Sequence, residues 1–286
     1  MALRACASEP FKSIHMNNRN KKSRIDDQLA AARFVLASGR KSPREIGIQL
    51  RLETFEWIYR CGFTTSSVGQ MLVNKTSGGY LKKLADQGWL RATKTESGSP
   101  LAFFTLAEKG LQEAERHSYA LYRYAEIDPY KVNQQTIRHN LIAQYSTLKA
   151  LQSGHIVDYK TERMLTKQGD KLGVKRPDVM WITESGTRLG VEVELSAKWD
   201  RNLDDFILKI FRALKQREDE SSDYDRFIII SDSAAIINRY KKAFQPNEPV
   251  SSWIKNDRAH WVIEKEYKVP TWLIDKIDFQ LIESKS

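Results

Sequence analysis

The 286 residues carry 46 Lys/Arg against 36 Asp/Glu, a formal charge of +10, with 41% hydrophobic and 29% charged content. No apolar run reaches the roughly 18 residues of a membrane-spanning helix, so no membrane insertion is expected. The two cysteines, Cys6 and Cys61, exclude a disulfide framework and a cysteine-based metal cluster. "MALRACASEP" is too short and too polar for a secretory signal, and a reducing cytoplasm is the expected location.

The charge is unevenly spread. Residues 1–130 hold 20 Lys/Arg against 13 Asp/Glu, and the remainder 26 against 23. A basic N-terminal half points to a polyanionic partner, with DNA or RNA first. Residues 1–24, including "NNRNKKSR", lack apolar periodicity and read as a disordered basic arm. "IDDQLAAARFVLAS" (25–38) has the acidic first turn and Ala/Leu content of a helix.

Residues 52–116 follow a recognisable order. "ETFEWIYRCG" spaces Phe55, Ile58 and Tyr59 helically and stops at Gly62. "TTSSVGQMLV" begins on cap candidates. "TSGGYLKKLADQGWL" sets Tyr80, Leu81 and Leu84 on one face. "LRATKT" and "LAFFTL" then read as strands joined by "ESGSP". Three helices and a hairpin make a winged helix, and the "LxxLxxxGWL" ending resembles winged-helix regulators generally. In such a module the third helix enters the major groove and the wing touches the backbone. The helix would offer Lys75, Thr76, Ser77, Tyr80, Lys82 and Lys83, and the wing Arg91 and Lys94. Tyr80 has an equal claim to be core by its spacing, and a protein-binding winged helix stays open.

After a bridge at 117–133, residues 133–154 form a long amphipathic helix with Ile137, Leu141, Tyr145, Leu148 and Leu151 along one stripe. "HIVDYKTERML" reads as a strand. "RPDVMWI" and "GVEVEL" read as a strand pair across "ESGT". "NLDDFILKIFRALKQRED" is a second long helix, and the continuously apolar "RFIIISDS" is a buried strand. "AAIINRYKKAFQ" is a further helix, with "HWVIEKEYK" and "PTWLIDKIDF" as candidate terminal strands. The order helix, three strands, helix, strand predicts an α/β (α+β) domain with a mixed sheet and a helix on each face. The expected organisation is an arm at 1–24, a winged helix-turn-helix domain at 25–122 and a mixed-sheet domain at 123–286.

The chemistry concentrates in "RPDVMWITESGTRLGVEVELSAK". Side chains two apart on a strand share a face, so Glu192 and Glu194 point the same way. A short hairpin brings Asp178 beside them, and carboxylates so close require a cation. Oxygen-only ligation suits Mg²⁺ or Mn²⁺. Lys198, in a segment that could start the next helix, could stabilise charge on a phosphate. The plainer alternative is an edge strand whose glutamates are solvated.

Pro177-Asp178 followed by Glu192-x-Glu194 resembles the PD…(D/E)xK signature of the restriction-endonuclease-like nuclease fold. Glu194 stands where that signature has lysine, so Lys198 would have to replace it from the following helix. A wider resemblance runs from about residue 50 to 245, through "TIRHNLIA", "YKTERML", "KRPDVMWI", "GVEVELSAK" and "LKIFRAL…RFIIIS". It is to replication-relaxation proteins and MobC-type relaxases of mobilisable plasmids. That resemblance implies a metal-dependent nickase acting on double-stranded DNA at a transfer origin, alongside mobilisation accessory and coupling proteins. Asp178 and Glu192 would be metal ligands, Glu194 a third carboxylate and Lys198 the catalytic lysine.

Other chemistries have less support. The five histidines include no pair separated by one apolar residue, as tyrosine relaxases require. Tyr119, Tyr122, Tyr124 and Tyr130 suit packing or base stacking better than covalent catalysis. His139 and Glu162 are further candidates, as a proton-transfer group and as an outer ligand or paired surface carboxylate. The rival readings are a sequence-specific DNA-binding regulator with an inert nuclease-like domain, and a nuclease that cuts both strands.

Overall fold

Helix α1 (Pro43–Cys61) opens on a capping box. The Ser42 N–H donates to Glu45 Oε2 at 2.7 Å, and the Glu45 N–H donates to the Ser42 hydroxyl at 3.3 Å. Pro43 takes the first helical position, where its missing N–H costs nothing. The computed structural model describes residues 41–76, 78–166, 173–215 and 222–282. It divides into two compact units, residues 1–53 and 54–286. The arm at 1–24, the helix expected at 25–38 and Ser77 lie outside the described residues.

In the second unit, α1 buries Phe55, Trp57, Ile58 and Tyr59. It is followed by β1 (Thr64–Thr65), α2 (Ser66–Leu72) and α3 (Tyr80–Asp86). Next come β2 (Leu90–Lys94), β3 (Ala102–Leu106) and α4 (Glu108–His117). The three strands form an antiparallel sheet in the order β1-β3-β2. Phe55, Ile58, Leu81, Leu84, Leu90 and Leu106 make one core. A Cβ on Gly69 would stand 2.6 Å from the Leu81 side chain, so glycine is what lets α2 reach α3. Helix α3 is shorter than the sequence suggests. Gly79, at φ 99°, forms its N-cap, so Lys75 and Thr76 precede the helix.

Three short 3₁₀ turns lead to α5 (Ile137–Gln152). The remaining elements are β4 (Asp158–Thr161), α6 (Glu162–Leu165), β5 (Val179–Ile182), β6 (Arg188–Val193) and α7 (Asp200–Leu214). They are followed by β7 (Arg226–Ser231), α8 (Ala234–Ala243), β8 (Pro249–Lys255), β9 (Trp261–Lys268) and β10 (Ile277–Leu281). The main sheet runs β10-β7-β6-β5-β4, antiparallel through β4, β5 and β6 and parallel from β6 through β7 to β10. Strands β8 and β9 form a separate hairpin.

The chain is thus a mixed α/β protein, with a helix on each sheet face as its strand patterns require. Val179, Trp181, Val191, Val193 and Ile230 pack with Ala143 and Leu148 of α5. The alternate residues Met180, Phe227 and Ile229 pack with Phe206, Ile207 and Ile210 of α7. Gly190 has a specific reason to lack a side chain. A Cβ there would lie 2.6 Å from the Phe227 ring.

Three local expectations change. "HIVDYKTERML" is a four-residue strand followed by a helical turn, because Thr161 caps α6 and Glu162 begins it. Residues 194–199 are not helical, so Lys198 sits in the link between β6 and α7. On α5, Tyr145 is exposed while Gln144 and Thr147 are buried. These two polar groups satisfy indoles. Trp57 Nε1–H donates to Gln144 Oε1 at 3.1 Å, and Trp181 Nε1–H donates to Thr147 Oγ1 at 2.9 Å.

Gln144 also accepts from the Thr64 hydroxyl at 3.0 Å and donates to the Phe63 carbonyl at 2.9 Å. One side chain therefore ties α1, the β1 segment and α5 together. Gln144→Leu strands three buried partners, each costing about 1–3 kcal/mol. Urea denaturation is expected to show a loss of at least about 2 kcal/mol, with an unchanged m-value.

Candidate active site

The register of the sheet assembles the site. Val179 pairs with Val191 across β5 and β6, so one step outward Asp178 stands opposite Glu192, with its carboxylate turned toward α5. Glu194 follows two residues on, and its N–H continues the ladder to the Ile230 carbonyl at 2.8 Å. Both glutamates are almost fully buried, Glu192 at 2% exposure and Glu194 at 4%. Three carboxylates are thereby crowded at one end of the central strands.

Each is held by a specific partner. Lys175 Nζ lies 2.7 Å from Glu192 Oε2. Lys198 Nζ pairs with Glu194 Oε1, and the Tyr240 hydroxyl donates to Glu194 Oε2 at 3.0 Å. The Asp178 Oδ2 accepts from the Val193 N–H at 2.8 Å and lies 3.1 Å from His139 Nε2. Both lysines also lie against the ring of Phe206, with Lys198 Nζ at 4.6 Å and Lys175 Nζ at 5.7 Å from its centroid.

The protonation equilibria follow this crowding. Burial pushes the Glu192 carboxyl well above its usual range, and the charges of Asp178 and Glu194 push the same way against Lys175. Burial opposes charge on Lys175, but Glu192 outweighs it and raises the ammonium's pKa. For His139, burial favours the neutral ring. The hydrogen bond and charge of Asp178 reverse that and raise its pKa to about 9, so the ring is protonated at neutral pH.

The fit to a divalent cation is specific to two of the three acids. Glu192 Oε1 is buried without a hydrogen-bond partner, the condition of an oxygen available to a cation. Asp178 is its cross-strand neighbour. Mg²⁺ commonly takes one or two carboxylates and keeps waters elsewhere, so this pair suits it. Glu194 is different, because both its oxygens are occupied by Lys198 and Tyr240. Among the described residues no group of three or more His, Cys, Asp and Glu is arranged to hold a metal ion.

Asp178 also borders a cavity of about 190 Å³ lined by Asn140, Gln144, Thr161, Glu162 and Arg163, among others. Glu162 reaches the site from the first turn of α6, and its N–H donates to the Asp178 carbonyl at 2.9 Å. The lysines of the α2–α3 and β2–β3 segment behave differently. Lys82, Lys83 and Lys94 are exposed, and Lys75 lies over the Tyr80 ring at 5.2 Å. Tyr80 is half-buried against the core of the three helices, and Arg91 donates to the Ile127 carbonyl. Tyr124 is structural, since its buried hydroxyl donates to the Gly62 carbonyl and accepts from the Leu106 N–H. Tyr59 and Tyr122 exchange hydrogen bonds in the same junction.

Two site residues have no signal in the spacing of "PD…ExE". Lys175 lies on the link before β5, and Tyr240 comes from α8. The run "KRPD" hints at the first, but only the fold directs its ammonium to Glu192. Nothing local marks Tyr240. No protein family, curated protein or solved structure matches the chain.

Lys175→Met leaves the buried Glu192 carboxyl without its partner, so that it takes up a proton and loses a hydrogen bond, at an expected cost of about 1–3 kcal/mol. Adding Glu192→Gln should add little to that loss in a double-mutant cycle. In metal-free buffer the His139–Asp178 pair sets a second test. His139 has a raised folded pKa, so its stabilisation is complete below 6.5 and is lost as pH rises through about 9. Thermal melts should show wild type losing stability over that window, and His139→Phe should flatten the loss.

Proposed function

We propose that the protein is a metal-dependent DNA endonuclease that nicks one strand at a transfer origin, as its resemblance to replication-relaxation and MobC-type relaxases implies. The observation that carries this reading is the Asp178–Glu192 pair, with an unpartnered Glu192 oxygen and two lysines around it. The order α5-β4-β5-β6-α7-β7 is compatible with a restriction-endonuclease-like core. The three helices and hairpin before it are compatible with a winged helix. Lys82 and Lys83 on α3 and Lys94 on the hairpin supply exposed positive charge for duplex phosphates.

In this reading Asp178 and Glu192 would hold Mg²⁺ or Mn²⁺, which when bound would supply Lewis-acid activation of water and offset charge on the scissile phosphate. Lys175 orients Glu192 through its contact with Oε2. Lys198, its side chain 35% exposed, is the cation available to a phosphate oxygen. Glu194 and Tyr240 fix Lys198 in place, and protonated His139 holds Asp178 against the Val193 amide.

A supercoiled plasmid carrying the transfer origin, with Mg²⁺, provides the test. Asp178→Ala and Glu192→Ala should each cut nicking by roughly a hundredfold or more, and Lys198→Ala should lower it too. Full nicking by both acid variants overturns the proposal. Linear product from a single-site plasmid identifies a double-strand nuclease instead. One observation favours the regulator reading: Glu194 occupies the signature's lysine position and is already bound by two partners. Calorimetric titration with Mn²⁺ separates the two, since an inert domain shows no binding that depends on Asp178 and Glu192.

A further inference from the structure

We infer that the ground beside Lys198 is a stacking platform for the bases of a single-stranded polynucleotide, built from Trp199 and Trp261. Trp199 follows Lys198 directly and is 60% exposed, an unusual state for the largest apolar side chain. It is not loose. The Arg239 guanidinium lies 3.5 Å from the indole centroid, and its Nε–H is anchored to the Lys198 carbonyl at 2.9 Å. The cation lies against the ring, and the indole nonetheless remains 60% exposed.

A second stack repeats the arrangement. Trp261 on β9 is 45% exposed, with the Arg201 guanidinium 3.9 Å and the Lys255 ammonium 5.4 Å from its centroid. Trp199 and Arg201 are two residues apart, so their Cα atoms are separated by at most about 7.6 Å. Helix α8 joins the platform to the acidic site, since Arg239 supports Trp199 while the adjacent Tyr240 binds Glu194.

The chemistry selects the occupant. Interleaved indoles and guanidinium groups match a ligand that presents π-faces and phosphates in alternation. A paired duplex keeps its base faces covered. An unpaired strand offers them, and each stack on an aromatic ring is worth about 1–3 kcal/mol without sequence preference. Trp261 does have exposed Ile254, Val262 and Ile263 near it on the β8–β9 hairpin, the setting in which a protein partner buries an indole, so the cation on each ring is what favours a nucleic acid. Here each indole carries its cation directly. The inference rests on the proposed nuclease reading only in taking nucleic acid as the ligand, and it specifies that the strand beside Lys198 is unpaired.

Binding is tested in EDTA, so that no cleavage is involved. Fluorescence anisotropy of a labelled oligothymidylate and of a duplex of equal length is measured with the full chain. Trp199→Ala and Trp261→Ala should each weaken single-strand binding by roughly five- to hundredfold, with duplex affinity changed less than twofold. Trp199→Phe, which keeps a stacking ring, should retain most of the affinity. Three results overturn the inference: no single-strand binding by wild type, alanine variants with unchanged single-strand affinity, or an equal loss on duplex. Nicking by Asp178→Ala and Glu192→Ala is read separately. The platform can therefore fail with the nuclease intact, and the reverse.

Discussion

Crowding of negative charge at one end of the central sheet is the constraint around which this molecule is arranged. Strand register sets Asp178 against Glu192, and strand alternation adds Glu194 on the same face. Two of these acids are nearly removed from water. Carboxylates in that position persist only with compensating cations and hydrogen bonds. The chain supplies Lys175 from the link before β5, Lys198 from the link after β6, a protonated His139 from α5 and the Tyr240 hydroxyl from α8. The two links, α5 and α8 therefore each bring a group that offsets these acids.

The compensation is uneven, and the unevenness is chemically informative. Glu194 is saturated by a lysine and a phenol. Glu192 has one oxygen bound and one buried without a partner. An orphaned carboxylate oxygen in an otherwise satisfied cluster is costly unless something else uses it. That contrast divides the three acids into a pair open to a cation and a third that serves to hold Lys198.

A neutral polar network complements the charged one. Trp57 and Trp181 bring indole N–H groups into the core, and each needs an acceptor there. Gln144 and Thr147 provide them from the buried side of α5. Periodicity of apolar residues alone places Tyr145 on that face and passes over both. The buried face keeps Ile137 and Leu148 of the expected stripe but takes Gln144 and Thr147, while Tyr145 stays exposed. The shortening of α3 has a similarly local cause, in the left-handed Gly79 that precedes Tyr80.

Much of the arrangement is legible in the residues themselves. The alternation in "GVEVEL", the short turn "ESGT" and the continuous run "RFIIIS" specify strands, their pairing and the helices that cover them. Asp178 and Glu192 follow from that pattern, because a two-residue period leaves no freedom about which face a side chain takes. The roles of Lys175, Tyr240 and Arg239 do not follow, since they reach the site across distances in sequence that local rules do not span. Nor does the pattern reveal that Lys198 precedes α7, or that Glu194 is already occupied. Sequence alone determined which acids would meet, since pairing across a hairpin is a local geometric matter. Only the tertiary structure decided which cations reach them, because long side chains are directed by the packing of distant helices and links.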